Sequence, residues 1–425
     1  MKNNKTIIFI AILLLLGIKL NGQEVTGKVG RFYRIENNKI TLPVSNDGNL
    51  VRGSEPSTGK FDGIPFLFSG GFVLGGLNNA DIWVRGQSFL TYVWDFIPGK
   101  VGDSQNPDNQ LYVIKSSDPP FGKSWVDWID AVKLGARFYD GDGNGKYEPV
   151  DKNKNGKVDF DEDMPDLLGD ITVWCVYNDD GFFHLPQGIE VAQTIFGSSS
   201  RPYLRNVLFI RYAITYRGSS SHLDSVYFSI AVDPDLGENN LNNKAGCDKD
   251  FQISYAYKDT LENDVKKIPF FFTSFLQGPE IYTGVPNDKS NINNGAIIGR
   301  RQNQGYTNLS HSSFFNFPAP DSFPYELSEE QIYNLMKGTN IFGNQFVPCE
   351  FNELSNFVNV NCDTLNPYFM YDGNPFTPKG WLMNNSIDVR MLSNIGPFTL
   401  KKDTAQEIII AYAIGSSQSS LADAF

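Results

Sequence analysis

Between Tyr139 and Asp170 the chain reads YDGDGNGKYEPVDKNKNGKVDFDEDMPDLLGD, and these residue types at this spacing point to calcium. A twelve-residue calcium loop places oxygen donors at its first, third, fifth, seventh and ninth positions, glycine at the sixth and a carboxylate at the twelfth. Asp151, Asn153, Asn155, Gly156, Lys157 through its carbonyl, Asp159 and Glu162 occupy those positions, so the pattern D-x-[DN]-x-[DN]-G-x5-E is complete. A second copy directly precedes it, with Asp140, Asp142, Asn144, Gly145, Lys146 through its carbonyl, Glu148 and finally Asp151. On this reading Asp151 closes one loop and opens the next.

Charge density points the same way. From Asp140 to Asp170 there are ten acids and four lysines, and such carboxylates repel one another unless a cation neutralises them. Calcium tolerates a mixed shell of carboxylate, amide and carbonyl oxygens that magnesium's stricter octahedron disfavours. A charge run is ordinarily a solvated face, but two phased loops with glycine at the sixth position of each set this one apart. Pro149 inside the first loop and Pro165 after the second do not suit paired EF-hand helices, so the expectation is a compact structural loop.

A second acidic cluster, Asp233-Pro234-Asp235-Leu236-Gly237-Glu238, is followed by Cys247-Asp248. Asp233, Asp235 and Asp248 are candidates for another cation site or for the acid pair of a glycoside hydrolase; an Asp- and Gly-rich turn is the plainer alternative. Other enzyme signals are weak. His184, His222 and His311 fall in no metal-ligand spacing, and G-x-S-x-G is absent. No catalytic centre is assigned.

The elements that must position these residues read as mainly β. Aromatic residues are plentiful, and runs rich in Val, Ile, Tyr and Phe alternate with turn clusters. Residues 63–76, 81–93, 171–177, 188–196, 204–216, 223–233, 251–257, 268–275, 396–401 and 406–414 are the strand candidates. Their short connections imply antiparallel pairing. In VLFIRYAITY (207–216), Arg211 and Thr215 fall on one face, which is expected to be partly wet. Two helices are predicted. One runs over 123–134, with Trp125, Trp128, Ile129 and Val132 at helical spacing as a core stripe. The other runs over 328–337, where Ser328 and Gln331 form a capping box. Residues 278–323, polar and Asn-rich, read as long surface loops.

The expected fold class is therefore mainly β, with antiparallel β-sandwich-like domains, a tandem calcium-binding loop and a few short helices. Its expected parts are a signal peptide (1–22), an N-terminal β region (23–122), the helix with the calcium loops (123–170) and a central antiparallel sandwich (171–277). A loop-rich region with closing strands (278–425) belongs to the same sandwich.

Lys2 and Lys5 before the apolar run of residues 7–18 fit a secretory leader cleaved after about Gly22. That run falls short of the ~20 residues a spanning helix needs, so the mature chain is expected to lack a membrane span and to be secreted or held at the cell surface after Sec export. Loss of Lys2, Lys5 and Lys19 with the leader moves the net charge from −12 to −15, which disfavours nucleic acid as a partner. Four cysteines allow three full pairings. Cys349 and Cys362 bracket a short Asn-rich loop and are the expected disulfide, while Cys175, in an apolar run, reads as a buried thiol. The last residues, 419–425, read as the first turn of a helix, so the chain is expected to continue.

The ordered motifs DGDGNGKYEPVDKNKNGKVDFDEDMPDLLGDITVWCVYND, GIEVAQTIFG, LDSVYFSIAVDPDLG with GCD, and CDTLNPYFMYDG with RMLSNIGPFTLKKDTAQEIIIA resemble a group of large exported proteins of Bacteroidota. The resemblance covers about residues 125–415. It implies type IX secretion through a C-terminal sorting domain, which this stretch of chain lacks, as an N-terminal fragment would. The expected function is a secreted or cell-surface calcium-stabilised structural or adhesive protein without catalysis, with cell-surface glycans or proteins as partners. The alternative is a polysaccharide-binding or polysaccharide-degrading protein using the carboxylates near Asp233.

Overall fold

The computed structural model describes residues 25–53, 58–91, 94–181, 184–237, 242–258, 267–293, 300–318, 327–351 and 353–417. The leader and the helix expected over 419–425 lie outside them. Two large antiparallel sheets dominate the fold. The first runs, edge to edge, through Gly27–Gly30, Leu111–Lys115, Ile171–Asn178, Ile189–Gly197, Val207–Tyr216, Ala405–Ser417, Ile268–Gln277, Ile253–Tyr257 and Lys244–Asp248. The second contains Ser313–Pro318, Val389–Lys401, His222–Asp233, Ser69–Asn78, Leu50–Arg52, Ile40–Ser45, Gly59–Phe61 and Ile64–Leu67 in that order.

The sheets face each other across one core. Phe72 and Phe228 from the second sheet meet Tyr212 of the first at ring separations of 5.1 and 5.5 Å, and Phe66 meets Phe271 at 5.3 Å. Interdigitation of this kind is what two sheets packed face to face require. Each sheet draws strands from 23–122, 171–277 and 278–425, so these segments interleave. Ala405–Ser417, for example, inserts between Val207–Tyr216 and Ile268–Gln277, pairing Ile410 with Ile210.

Ile171–Asn178 shows why the sequence reads as strand yet lacks alternation. Ile171, Val173, Cys175 and Tyr177 face the main core, whereas Trp174 and Val176 join a second cluster with Tyr112, Ile114, Trp128 and Ala131. Both faces are covered, so apolar residues run without a break. The cover is helix α1 (Lys123–Lys133), whose Trp128 ring lies 6.3 Å from Trp174 and whose Trp128 indole N–H donates to the Arg137 carbonyl at 3.0 Å. The tryptophan stripe is thus core, as expected. Helix α2 (Glu329–Met336) carries both hydrogen bonds of the Ser328/Gln331 capping box and buries Ile332, Leu335 and Met336.

Three expectations change. Arg211 and Thr215 are 3% and 8% exposed, so the face expected to be wet is covered. The chain leaving the acidic loops lies across it, and Asp166 accepts from Arg211 at 2.5 Å. Residues 278–323 are not all loop. Glu280–Tyr282 pairs with Tyr306–Asn308, Lys289–Asn293 with Arg300–Gln304, and Ser313–Pro318 joins the second sheet. The first two pairs are polar and held by backbone hydrogen bonds without an apolar period, whereas Ser313–Pro318 carries Phe314, Phe315 and Phe317 into the core. The Asp81 strand ends at Gly86 rather than continuing to 93.

Cys349 and Cys362 form the disulfide, and Cys175 and Cys247 are buried free thiols. His311 sits between Phe275 and Phe369, at 5.6 and 5.2 Å. Burial pushes its pKa down to about 4, opposed only in part by the Ser313 backbone. An unfolded histidine takes a proton near pH 6.5, so between pH 6.5 and 4 the unfolded state binds more protons than the folded one. Stability from this group is complete above about pH 6.5 and declines on acidification, by about 2 kcal/mol at pH 5. His311→Leu should flatten that decline in urea titrations at pH 7, 6 and 5; an unchanged wild-type slope would refute the assignment.

Candidate metal centre

The acidic stretch leaves helix α1 through Phe138–Tyr139 and returns through Met164–Pro165, and these two segments pair as a small antiparallel ribbon. Between them lie two loops of the same construction. In the first, Asp140 accepts from the amides of Asn144 and Gly145 at 3.1 and 2.8 Å, and Asn144 Oδ1 accepts from Lys146 at 2.7 Å. In the second, Asp151 accepts from Asn155 and Gly156 at 3.1 and 2.7 Å, and Asn155 Oδ1 accepts from Lys157 at 2.7 Å. Asp142 and Asn153, third in their loops, each accept from the fifth-position amide at 3.2 and 3.0 Å.

Backbone conformation repeats as well. Gly145 and Gly156, sixth in each loop, have φ of 76° and 73°, which favours glycine. The fourth positions, Gly143 and Lys154, also have positive φ.

Closure departs from the sequence expectation. Glu162 accepts from the amides of Lys152 and Asp159, second and ninth in their loop, at 2.6 and 2.9 Å. The equivalent contacts in the first loop are made by Asp163, which accepts from Gly141 and Glu148 at 3.0 and 2.8 Å. Asp163, not Asp151, therefore takes the closing position of the first loop, and Asp151 serves the second. The two loops fold back on each other instead of sharing a residue, and a Cβ on Gly141 would collide with the Glu162 backbone. Glu162 and Asp163 are 1% and 2% exposed. The adjacent acids Asp161-Glu162-Asp163 were the available signal for this, but a motif read as one contiguous span cannot use it.

The donor set fits calcium. Carboxylate oxygens of Asp140, Asp142 and Asp163 lie within 4.8 Å of one another, and opposite ligands at about 2.4 Å from one ion would be about that far apart. In the second loop the side-chain NH2 groups of Asn153 and Asn155 donate to Asp159 Oδ2 at 2.7 and 2.9 Å, and their Oδ1 atoms accept from backbone amides, so the carboxylate cluster belongs to the first loop. All the side-chain donors are oxygens, as a hard cation prefers. Lys152 Nζ, 3.2 Å from Asp142, balances part of the charge.

Tyr147, between Lys146 and Glu148, fastens the first loop to the body. It is 7% exposed, packs on Phe138 at 5.3 Å and donates from its hydroxyl to the Trp125 carbonyl at 3.2 Å. Beyond the second loop, Asp166 and Arg211 join Arg137 and Glu407 in a buried charge network; Arg137 lies 2.9 Å from Glu407.

The second acidic cluster also changes membership. Asp248 caps its own turn, accepting from Asp250 and Phe251 at 3.0 and 3.2 Å. Its place beside Asp233 and Asp235 is taken by Asp388. Burial pushes Asp233 up to about 7, Asp388 and Asp235 adding and Arg390 opposing; burial followed by Asp388 brings Asp235 to about 6. Asp388 is remote in sequence, and only the alternation Asp388-Val389-Arg390, which sets Asp388 and Arg390 on one face, hinted at it.

Fold and site together define an antiparallel β-sandwich bearing a doubled acidic loop. No protein-family model matches the chain, and no curated relative matches its sequence. Among solved structures, a bacterial glucoamylase complexed with acarbose is similar at 10% identity and a TM-score of 0.33, over 94% of this chain and 35% of that one. The chain thus spans about a third of that structure's length, and likeness at this level has no bearing on activity. Among the described residues, no helix is long and apolar enough to cross a membrane.

Proposed function

We propose that the protein is a secreted or cell-surface structural module whose two acidic loops bind calcium and thereby fasten α1 and the loop exit to the outer face of the sandwich. The observation that carries this is the repeated closure, in which Glu162 and Asp163 make the same pair of amide contacts in two loops of the same backbone form. Ordinary acidic turns have no reason to repeat it. An extracellular affinity of ~10⁻⁴ to 10⁻³ M gives, at about 1 mM calcium, roughly 1 to 3 kcal/mol over two sites. Urea unfolding with calcium and then with chelator should differ by that amount. Asp163→Asn should remove about half of the difference and Asp151→Asn the other half. Identical curves with and without chelator, and no bound calcium by elemental analysis, would sink the proposal.

A second reading, glycan binding, is favoured by one feature away from the loops. An open groove of about 710 Å³ is lined by Tyr282, Tyr306, Glu280, Asn303 and Gln406, with the Tyr282 and Tyr306 rings 5.1 Å apart and Tyr282 71% exposed. Exposed aromatic faces beside amides suit sugar rings. On a glycan array, Tyr282→Ala should lower any signal of the wild-type protein at least tenfold; equal signals would remove the groove from consideration.

A further inference from the structure

We propose that Asp233, Asp235 and Asp388 form a cation site separate from the tandem loops, built for a hard divalent ion. The three carboxylates come from two places that the fold brings together. Asp233 ends the His222–Asp233 strand, Asp235 follows Pro234, and Asp388 precedes the neighbouring Val389–Lys401 strand, which pairs Val232 with Met391. One ligand oxygen from each lies within 4.8 Å of the others.

The backbone around them is fixed by hydrogen bonds. The Asp233 carbonyl accepts from Phe68 at 2.9 Å, the Pro234 carbonyl accepts from the Asn243 side chain at 3.1 Å, and Asn243 and Ile387 exchange two backbone bonds at 3.0 and 2.9 Å. The two chain segments that carry the carboxylates are therefore held side by side.

An independent observation separates this cluster from an ordinary acidic turn. Asp233 and Asp388 are 3% and 9% exposed, and the Oδ1 atom of each is buried without a hydrogen-bond partner among the described residues. Arg390 reaches only the other oxygen of Asp233, Oδ2, at 3.2 Å. Buried carboxylate oxygens are ordinarily paired or bound to metal. With Arg390 at one side and Lys258 acting on Asp235, three acids still outnumber two cationic side chains. The all-oxygen donor set selects calcium, magnesium or manganese over zinc or copper. Asp235, only partly buried, leaves the approach from solvent on which coordinating waters would complete the shell.

Manganese alone is the probe. Crystals of the mature protein soaked in manganese chloride should show an anomalous peak bounded by Asp233, Asp235 and Asp388, distinct from any peak at the tandem loops. Asp388→Asn should abolish that peak and lower the manganese count in solution by one per chain, leaving the loop peaks in place. Should that variant fail to fold, Asp235→Asn, at the solvent side, is read in the same way. No peak at the cluster in the wild type, or a peak that persists in a folded Asp388→Asn or Asp235→Asn variant, overturns the proposal. A cluster peak with empty loops would uphold it, the loops being tested separately by the calcium and chelator comparison.

Discussion

Asp166→Ala is expected to destabilise the protein by about 3 to 5 kcal/mol, because it leaves a charged guanidinium buried without its principal partner. Arg211 is 3% exposed in the middle of the first sheet, with Asp166 Oδ2 at 2.5 Å and Thr194 Oγ1 at 3.1 Å. Its remaining acidic neighbour, Glu407, is 4.0 Å away and is engaged by Arg137 at 2.9 Å. Removing Asp166 would set two arginines against one carboxylate, with Arg211 itself shut away from water while the Arg137 side chain stays partly exposed. The double variant Asp166→Ala/Arg211→Met should recover most of the loss, since replacing both members of a buried pair by apolar groups is often neutral. Urea denaturation of the single and double variants measures the difference. A single-variant loss below about 1 kcal/mol would mean that the pair is solvated, as exposed pairs are.

Why this network lies under the acidic loops bears on what could be read from the sequence. Strands such as Ile171–Asn178 and Val207–Tyr216 were legible because β-branched and aromatic residues fill pleated surfaces. Which sheet each joined was not, since alternation gives faces and says nothing of partners. Ser69–Asn78 illustrates the gap. Residues 63–76 read as one strand, yet they divide between Ile64–Leu67 and Ser69–Asn78, and a Cβ at Gly71 would meet the Gln87 carbonyl at 2.7 Å, so glycine there permits close strand packing at the centre of the second sheet. Lys289–Asn293 and Arg300–Gln304 were hidden for the opposite reason, because neither has an apolar face to reveal.

The two acidic loops were legible residue by residue because the side chains that shape them are local. Asp163 was missed because closure of the first loop depends on the two loops folding together, and Asp388 because 153 residues separate it from Asp235. The same limit applies to Arg211. Its alternation placed it on the outer face correctly, but only the path of the chain after Asp163 makes that face an interior.

Tyr147→Ala tests whether the loops do the work assigned to them. Loss of a buried aromatic side chain costs about 3 to 5 kcal/mol in a well-packed site, and this ring packs with Phe138 in the cluster that holds Trp128 and Trp174. If the tyrosine also orders the first loop, the variant should gain less from calcium than the wild type does. Stability measured for both proteins with calcium and with chelator gives the coupling directly, as a double-mutant cycle would. The calcium-dependent increment is expected to fall by about half, because the second loop keeps Glu162 and its own contacts. Tyr147→Phe retains the ring and loses only the bond to the Trp125 carbonyl, so it should cost about 0.5 to 1.5 kcal/mol and leave the calcium increment intact. If Tyr147→Ala kept the full increment, ion binding and attachment to α1 would be independent, and calcium would then order the loops without fastening them to the sandwich.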